Sequence, residues 1–179
     1  MSRTAFGTST KARVKPEALP SVEKLYGDRR FNNKTGASEG RAVCWRCHAI
    51  GSAKHWYADP REAPSLNDDK FVHQTLCPGC LRIKERLYEG QVVLDSPLLF
   101  EKNEEICALI KHTEGKAWHD NPASRIAYTA ASENKLELLT TTRWLATRIG
   151  KNIHKAFKGK LEIKPCFREK FVRVYWTHP

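Results

Sequence analysis

Two short cysteine pairs constrain this chain more than any other feature. Cys44-Trp45-Arg46-Cys47 and Cys77-Pro78-Gly79-Cys80 share the C-x-x-C spacing of a metal knuckle, in which two thiolates on one tight turn bind the same ion. Two knuckles supply Cys44, Cys47, Cys77 and Cys80, a closed tetrahedral set that suits one structural Zn²⁺ and leaves no position for substrate. Pro78 fixes φ and Gly79 tolerates a tight turn, so the second knuckle carries its own turn chemistry. The spacing also fits an iron–sulfur cluster. A redox pair would need a single C-x-x-C in a βαβ setting, and a disulfide framework would need a secreted chain, of which no leader is read here. His48, His55 and His73 lie close by and read as loop histidines, because the thiolate set is already complete. Cys107 and Cys166 stand alone in periodic segments and read as small core residues.

Charge is unevenly spread. The chain has 31 Lys and Arg against 20 Asp and Glu, a net +11. Residues 1–41 hold nine bases and four acids, and residues 135–179 hold eleven bases and three acids; residues 42–100 balance at seven each. A basic excess gathered at the two ends points to a polyanionic partner. No run of 18 apolar residues is present, so no membrane span is expected. Residues 1–40 are rich in Ser, Thr, Pro and Gly and read as a disordered basic arm, with one helical turn at 21–26. Pro16 and Pro20 argue against a mitochondrial presequence there. A cytoplasmic, monomeric protein is expected.

Residues 41–94 read as a zinc-ribbon module, with Trp45, Trp56 and Tyr57 expected to cover the metal. It closes with a short helix or turn over 81–88 and a candidate strand at 91–94. Residues 95–179 read as an α+β domain. Pro97 opens a helix to about residue 113, and the polar stretch 113–121, with Gly115, reads as a loop. Strands at 125–130 and 135–140 flank a turn at Glu133-Asn134. The Thr140–Thr142 hydroxyls offer an N-cap to a helix that carries Leu145, Ile149, Ile153 and Phe157 on one face and stops at Gly159. Strands at 160–166 and 170–177 close the domain. The expected architecture is α-β-β-α-β-β, an antiparallel sheet with helices on one face.

The polar face of that last helix carries Arg143, Thr147, Lys151, His154 and Lys158 in one stripe, bordered by Arg148 and Lys155. No acid occurs between Arg143 and Lys160, so no i,i+4 pair neutralises it. Lys160 and Lys164 share a face of the next strand, and Arg173 and Tyr175 a face of the last. Cations beside aromatics suit RNA phosphates and bases, and these ten basic or polar residues form the candidate RNA-binding set. No Walker loop, G-x-S-x-G, H-E-x-x-H or deaminase signature is present, so no enzyme is expected.

The stretch Thr75–Ile83 with Glu89-Gly90, the run Leu139–Gly150 continued by Ala156–Leu161, and Arg173–Trp176 together resemble the Nmd-three family, adaptors of the large ribosomal subunit, and more closely its short bacterial relatives. The resemblance spans residues 41–178. The family's adaptors carry more zinc ligands and a translation-factor-like domain, which this chain is not expected to share. What the resemblance implies is a ribosome or rRNA ligand, with ribosomal proteins as further candidate partners, acting in assembly, quality control or dormancy. A protein–protein adaptor gripping its partner through the module's aromatics, or a DNA-binding regulator, are the alternative expectations.

Overall fold

The computed structural model describes residues 41–52, 55–59, 61, 72–166 and 170–179; the basic arm expected over 1–40 lies outside them. The first four strands are short: β1 (Arg41–Cys44), β2 (Ile50–Ser52), β3 (His55–Tyr57) and β4 (Val72–Thr75). They form a sheet in the order β3-β2-β1-β4. β1 and β2, and β2 and β3, pair antiparallel, whereas β4 lies parallel to β1 with Cys44 opposite Thr75. Parallel pairing puts the C-terminal ends of β1 and β4 side by side, and each knuckle begins at one of those ends. Helix α1 (Pro78–Lys84) leads out of the second knuckle.

The remaining elements are β5 (Gly90–Asp95), α2 (Leu98–Glu101), α3 (Asn103–Asp120), β6 (Ile126–Ala131), β7 (Lys135–Thr140), α4 (Arg143–Phe157), β8 (Lys160–Cys166) and β9 (Phe171–Thr177). The five strands run in the order β6-β7-β5-β9-β8. The α+β class expected from sequence holds, with three differences in detail. The segment at 91–94 is not an edge of the metal module. As β5 it is the central strand of the second sheet, between β7 and β9. A boundary after residue 94 would therefore cut the core, where Val92 and Leu94 are fully buried. The sheet is also mixed rather than antiparallel, because β5 and β9 run parallel. Finally, the helix expected to stop near residue 113 continues to Asp120. Buried Ile106, Ile110, Thr113 and Ala117 keep the helical spacing through the polar stretch. The Thr113 hydroxyl donates to the Leu109 carbonyl at 2.8 Å and accepts from Asn152 Nδ2 at 3.0 Å.

Both long helices lie on one face of this sheet. The core gathers Val92 and Leu94 of β5, Leu136 and Leu138 of β7, Val172, Val174 and Trp176 of β9, and Leu145, Ile149 and Ile153 of α4. Alternate residues of the same strands point to the other face, which no described helix covers and where Leu139 and Phe171 are nonetheless buried. Thr142 caps α4, its hydroxyl accepting from Leu145 N at 3.4 Å. At the far end Trp176 Nε1 donates to the Lys158 carbonyl at 2.6 Å, and Gly159 follows at φ +78°.

The helix sits unusually close to the strands. A Cβ on Gly150 would fall 2.3 Å from Val174 Cγ1, and one on Gly90 would fall 2.5 Å from Ala146 Cβ. Gly150→Ala gains helix propensity of about 1 kcal/mol, but it must push α4 off a β-branched residue of a buried strand. Net destabilisation of about 1–3 kcal/mol is expected. Urea unfolding followed by circular dichroism checks this, and a midpoint at or above that of the unsubstituted protein would contradict it.

Candidate metal centre

Each knuckle is built by its local backbone. At the first, Cys44 N donates to the Ala49 carbonyl (2.9 Å) and His48 N donates back to the Cys44 carbonyl (2.8 Å), with His48 at φ 62°. At the second, Cys77 caps α1: its Sγ accepts from Cys80 N at 3.4 Å, and Pro78 stands in the first turn. The two are tied by Trp45 N donating to the Thr75 carbonyl at 3.1 Å.

The outcome is a compact sulfur cluster. The ligand atoms of Cys44, Cys47, Cys77 and Cys80 all lie within 4.8 Å of one another, and Cys47 Sγ is 3.5 Å from Cys77 Sγ. A tetrahedral site with metal–sulfur bonds of about 2.3 Å needs sulfurs roughly 3.8 Å apart, so the donor set fits a metal ion. Cys44, Cys77 and Cys80 are buried and Cys47 is half-buried. Burial pushes the Cys77 thiol far up and the Cys80 thiol up to about 12. At Cys44 burial acts in the same direction, but backbone N–H groups of Cys77, Cys47 and Arg46 outweigh it and bring the thiol down to about 7. His48, His55 and His73 are exposed and outside the cluster. Trp56 packs against the cysteines, whereas Trp45, expected to cover them, is 57% exposed.

The centre is docked on the second sheet. A Cβ on Gly79 would lie 2.3 Å from the Pro122 carbonyl oxygen, so the knuckle touches the α3–β6 loop backbone directly. Arg82, one turn along α1, donates from Nη1 to both Glu89 Oε1 and the Thr141 carbonyl, each at 2.7 Å. Thr141 in turn donates to the Ala123 carbonyl (2.5 Å) and accepts from Arg125 N (2.8 Å), and Thr142 and Ser124 share a hydroxyl contact of 3.1 Å. The threonine run thus fixes the corner on which the metal knuckle rests and from which α4 begins.

The candidate RNA-binding residues divide between two faces. Arg143, Lys151, His154 and Lys155 are exposed on α4; Lys158, expected in the same helical stripe, is exposed just past it, capping the helix at φ 61°. Arg143, Lys151, Lys155 and Lys158 have no ion-pair partner among the described residues. Thr147 is half-buried with its hydroxyl donating to the Arg143 carbonyl. Arg148 reaches Asp120 at 3.4 Å and lies over the Trp144 ring at 4.7 Å. Lys160, Lys164 and Arg173 instead lie on the sheet face opposite the helices. There Glu162 pairs with Lys160 (2.8 Å) and Lys164 (2.9 Å), whose ammonium groups hold its carboxyl down to about 2. Arg173 lies over Phe171 and Lys164 over Tyr175. Cationic residues of α3, among them Lys116, were missed by the sequence reading, which placed them in a loop; the recurrence of Thr113 and Ala117 was the available signal. No protein-family profile, curated protein or solved structure matches the chain.

If a metal ties the four sulfurs, Cys77→Ser should lose it, and acidification should release it, since protons compete for the thiolates. Chelation should strip amide protection from Arg41–Cys44 and Pro78–Lys84 while Leu136–Leu139 and Val172–Trp176 keep theirs. Hydrogen exchange with and without chelator reads this directly; loss of protection in both sheets would instead mean one cooperative unit.

Proposed function

We propose that the protein is a non-enzymatic RNA-binding module carrying one structural Zn²⁺, with the ribosome or structured rRNA as its target. The observation that carries the RNA part is the exposed face of α4. Arg143, Lys151 and Lys155 on α4 and Lys158 at its C-cap stand without an acid between them and without an ion-pair partner among the described residues. Like charges so placed repel one another, and a phosphate backbone relieves that repulsion. Zinc is the ion that suits four cysteine sulfurs in a closed site, and closure assigns it a structural role. The resemblance to the Nmd-three family favours a ribosomal location over other RNAs, in assembly, quality control or dormancy.

One feature favours a second reading, a protein adaptor: Trp45 is largely exposed on the first knuckle. Arg143, Lys151 and Lys158 together replaced by Glu should separate the two. The positions are exposed, so the fold should persist. Affinity for rRNA or ribosomes should fall by more than about tenfold, and the slope of log affinity against log salt should flatten by about two to three units. Filter binding and gradient sedimentation across a salt series measure both. If the triple variant associates with ribosomes normally while Trp45→Ala does not, the adaptor reading replaces the RNA reading.

A further inference from the structure

The stripe occupies the outer side of α4; its inner edge closes a groove against α3. The two helices run antiparallel, with Lys102 over Phe157 at one end and Arg148 reaching Asp120 at the other. Between them His112, Gly115, Lys116, His119, Asp120 and Arg148 line an open space of about 520 Å³. Both walls carry basic side chains. The one lining acid, Asp120, is paired with Arg148; Glu114, next to Gly115, is taken up by Arg125 and the Ile126 backbone N–H, and Glu104 and Glu105 lie about two helical turns away.

Gly115 gives an independent indication. It stands inside an 18-residue helix, where glycine costs about 1 kcal/mol relative to alanine. Packing does not account for it, because a Cβ there would meet nothing within 4 Å. What its missing side chain does is leave the helix backbone bare on a groove wall, open to close approach by a chain-like ligand. A third feature is Trp144. It shares a ridge with Arg148 and Asn152 at four-residue spacing, is 48% exposed, and carries the Arg148 guanidinium over one side of its ring.

We propose that this groove seats the phosphodiester backbone of a single-stranded RNA segment, with Lys116 and Arg148 meeting phosphates from opposite walls and an unpaired base stacked on Trp144. The proposal rests on the RNA-binding reading above and specifies the form of the RNA. A duplex keeps its bases stacked inside and offers none to Trp144, whereas unpaired bases are recognised by stacking on aromatic and guanidinium planes.

Fluorescence anisotropy with a labelled single-stranded RNA of about 12 nucleotides and a blunt RNA duplex of the same length tests this in the full chain. Gly115→Leu should raise thermal stability, since leucine is the better helix former, yet weaken single-strand binding by about tenfold or more. Lys116→Glu should weaken it to a similar extent. Trp144→Ala should cost the single strand at least about fivefold more than the duplex. Wild-type affinity in Gly115→Leu and Lys116→Glu would overturn the groove, even if the α4 triple variant had lost binding and so upheld the RNA reading. Equal losses for both probes in Trp144→Ala would overturn the single-strand assignment. Absence of RNA binding by the unsubstituted protein would overturn both readings together.

Discussion

Four sulfurs held within 4.8 Å of one another set the condition on which this structure depends. As thiolates they repel: each pair at about 4 Å costs roughly 4 kcal/mol at an effective dielectric of 20, and every pair among the four contributes. As thiols they fill a small buried space with weak donors and little apolar area. A cation at the centre would resolve both problems, and its binding free energy, of order 10 kcal/mol for such sites, would become folding free energy. The sheet around it could not take over that role. Its strands are three or four residues long, and its buried cluster consists of three of the cysteines with Ala49 and Leu76. So small a core needs a cross-link.

That condition reaches the second sheet through two close contacts. The Gly79 backbone abuts Pro122, and Arg82 bridges Glu89 and the Thr141 carbonyl. Thr141, which receives the Arg82 contact, also holds the α3–β6 loop, and its neighbour Thr142 caps α4. The knuckle, the loop after α3 and the start of α4 therefore meet at one corner. Any ligand lying along α3 and α4 at this end meets helices whose relative position is fixed by side-chain hydroxyls, and the metal knuckle is seated behind them.

Sequence made the knuckles legible because metal ligation demands fixed residue types at fixed spacing. It made α4 legible because Leu145, Ile149 and Ile153 recur at helical spacing and a cap precedes them. It was silent where the answer depends on partners distant in the chain. Gln91–Leu94 reads as a strand from its own composition, but nothing local says that it lies between β7 and β9, or that its pairing with β9 is parallel. The second half of α3 was hidden by Gly115 and a run of polar residues. Its helicity comes from Thr113 and Ala117 meeting α4 and the core, a tertiary effect that outweighs local propensity. Spacing could group Lys160, Lys164 and Arg173 with one another, but only the sheet shows that they stand on the opposite side from α4.

The separation of those cations bears on which surface meets a polyanion. On the sheet face opposite the helices the charges are arranged to satisfy one another. Glu162 takes Lys160 and Lys164, Glu137 accepts from Gln91 at 2.7 Å, and Arg173 and Lys164 rest on rings. Phosphate would have to compete with contacts already made. The helical side is arranged otherwise: Arg143, Lys151, Lys155 and Lys158 have no ion-pair partner among the described residues, while of the acids of α3 Glu104 and Glu105 stand in its first turn, Glu114 pairs with Arg125 and Asp120 with Arg148. Exposed pairs of the kind on the sheet are worth only about 0–1 kcal/mol each. The contrast therefore matters less for stability than for availability, and it leaves the unpaired charge on Arg143, Lys151, Lys155 and Lys158, whereas Arg148 at the groove is held by Asp120 and Trp144.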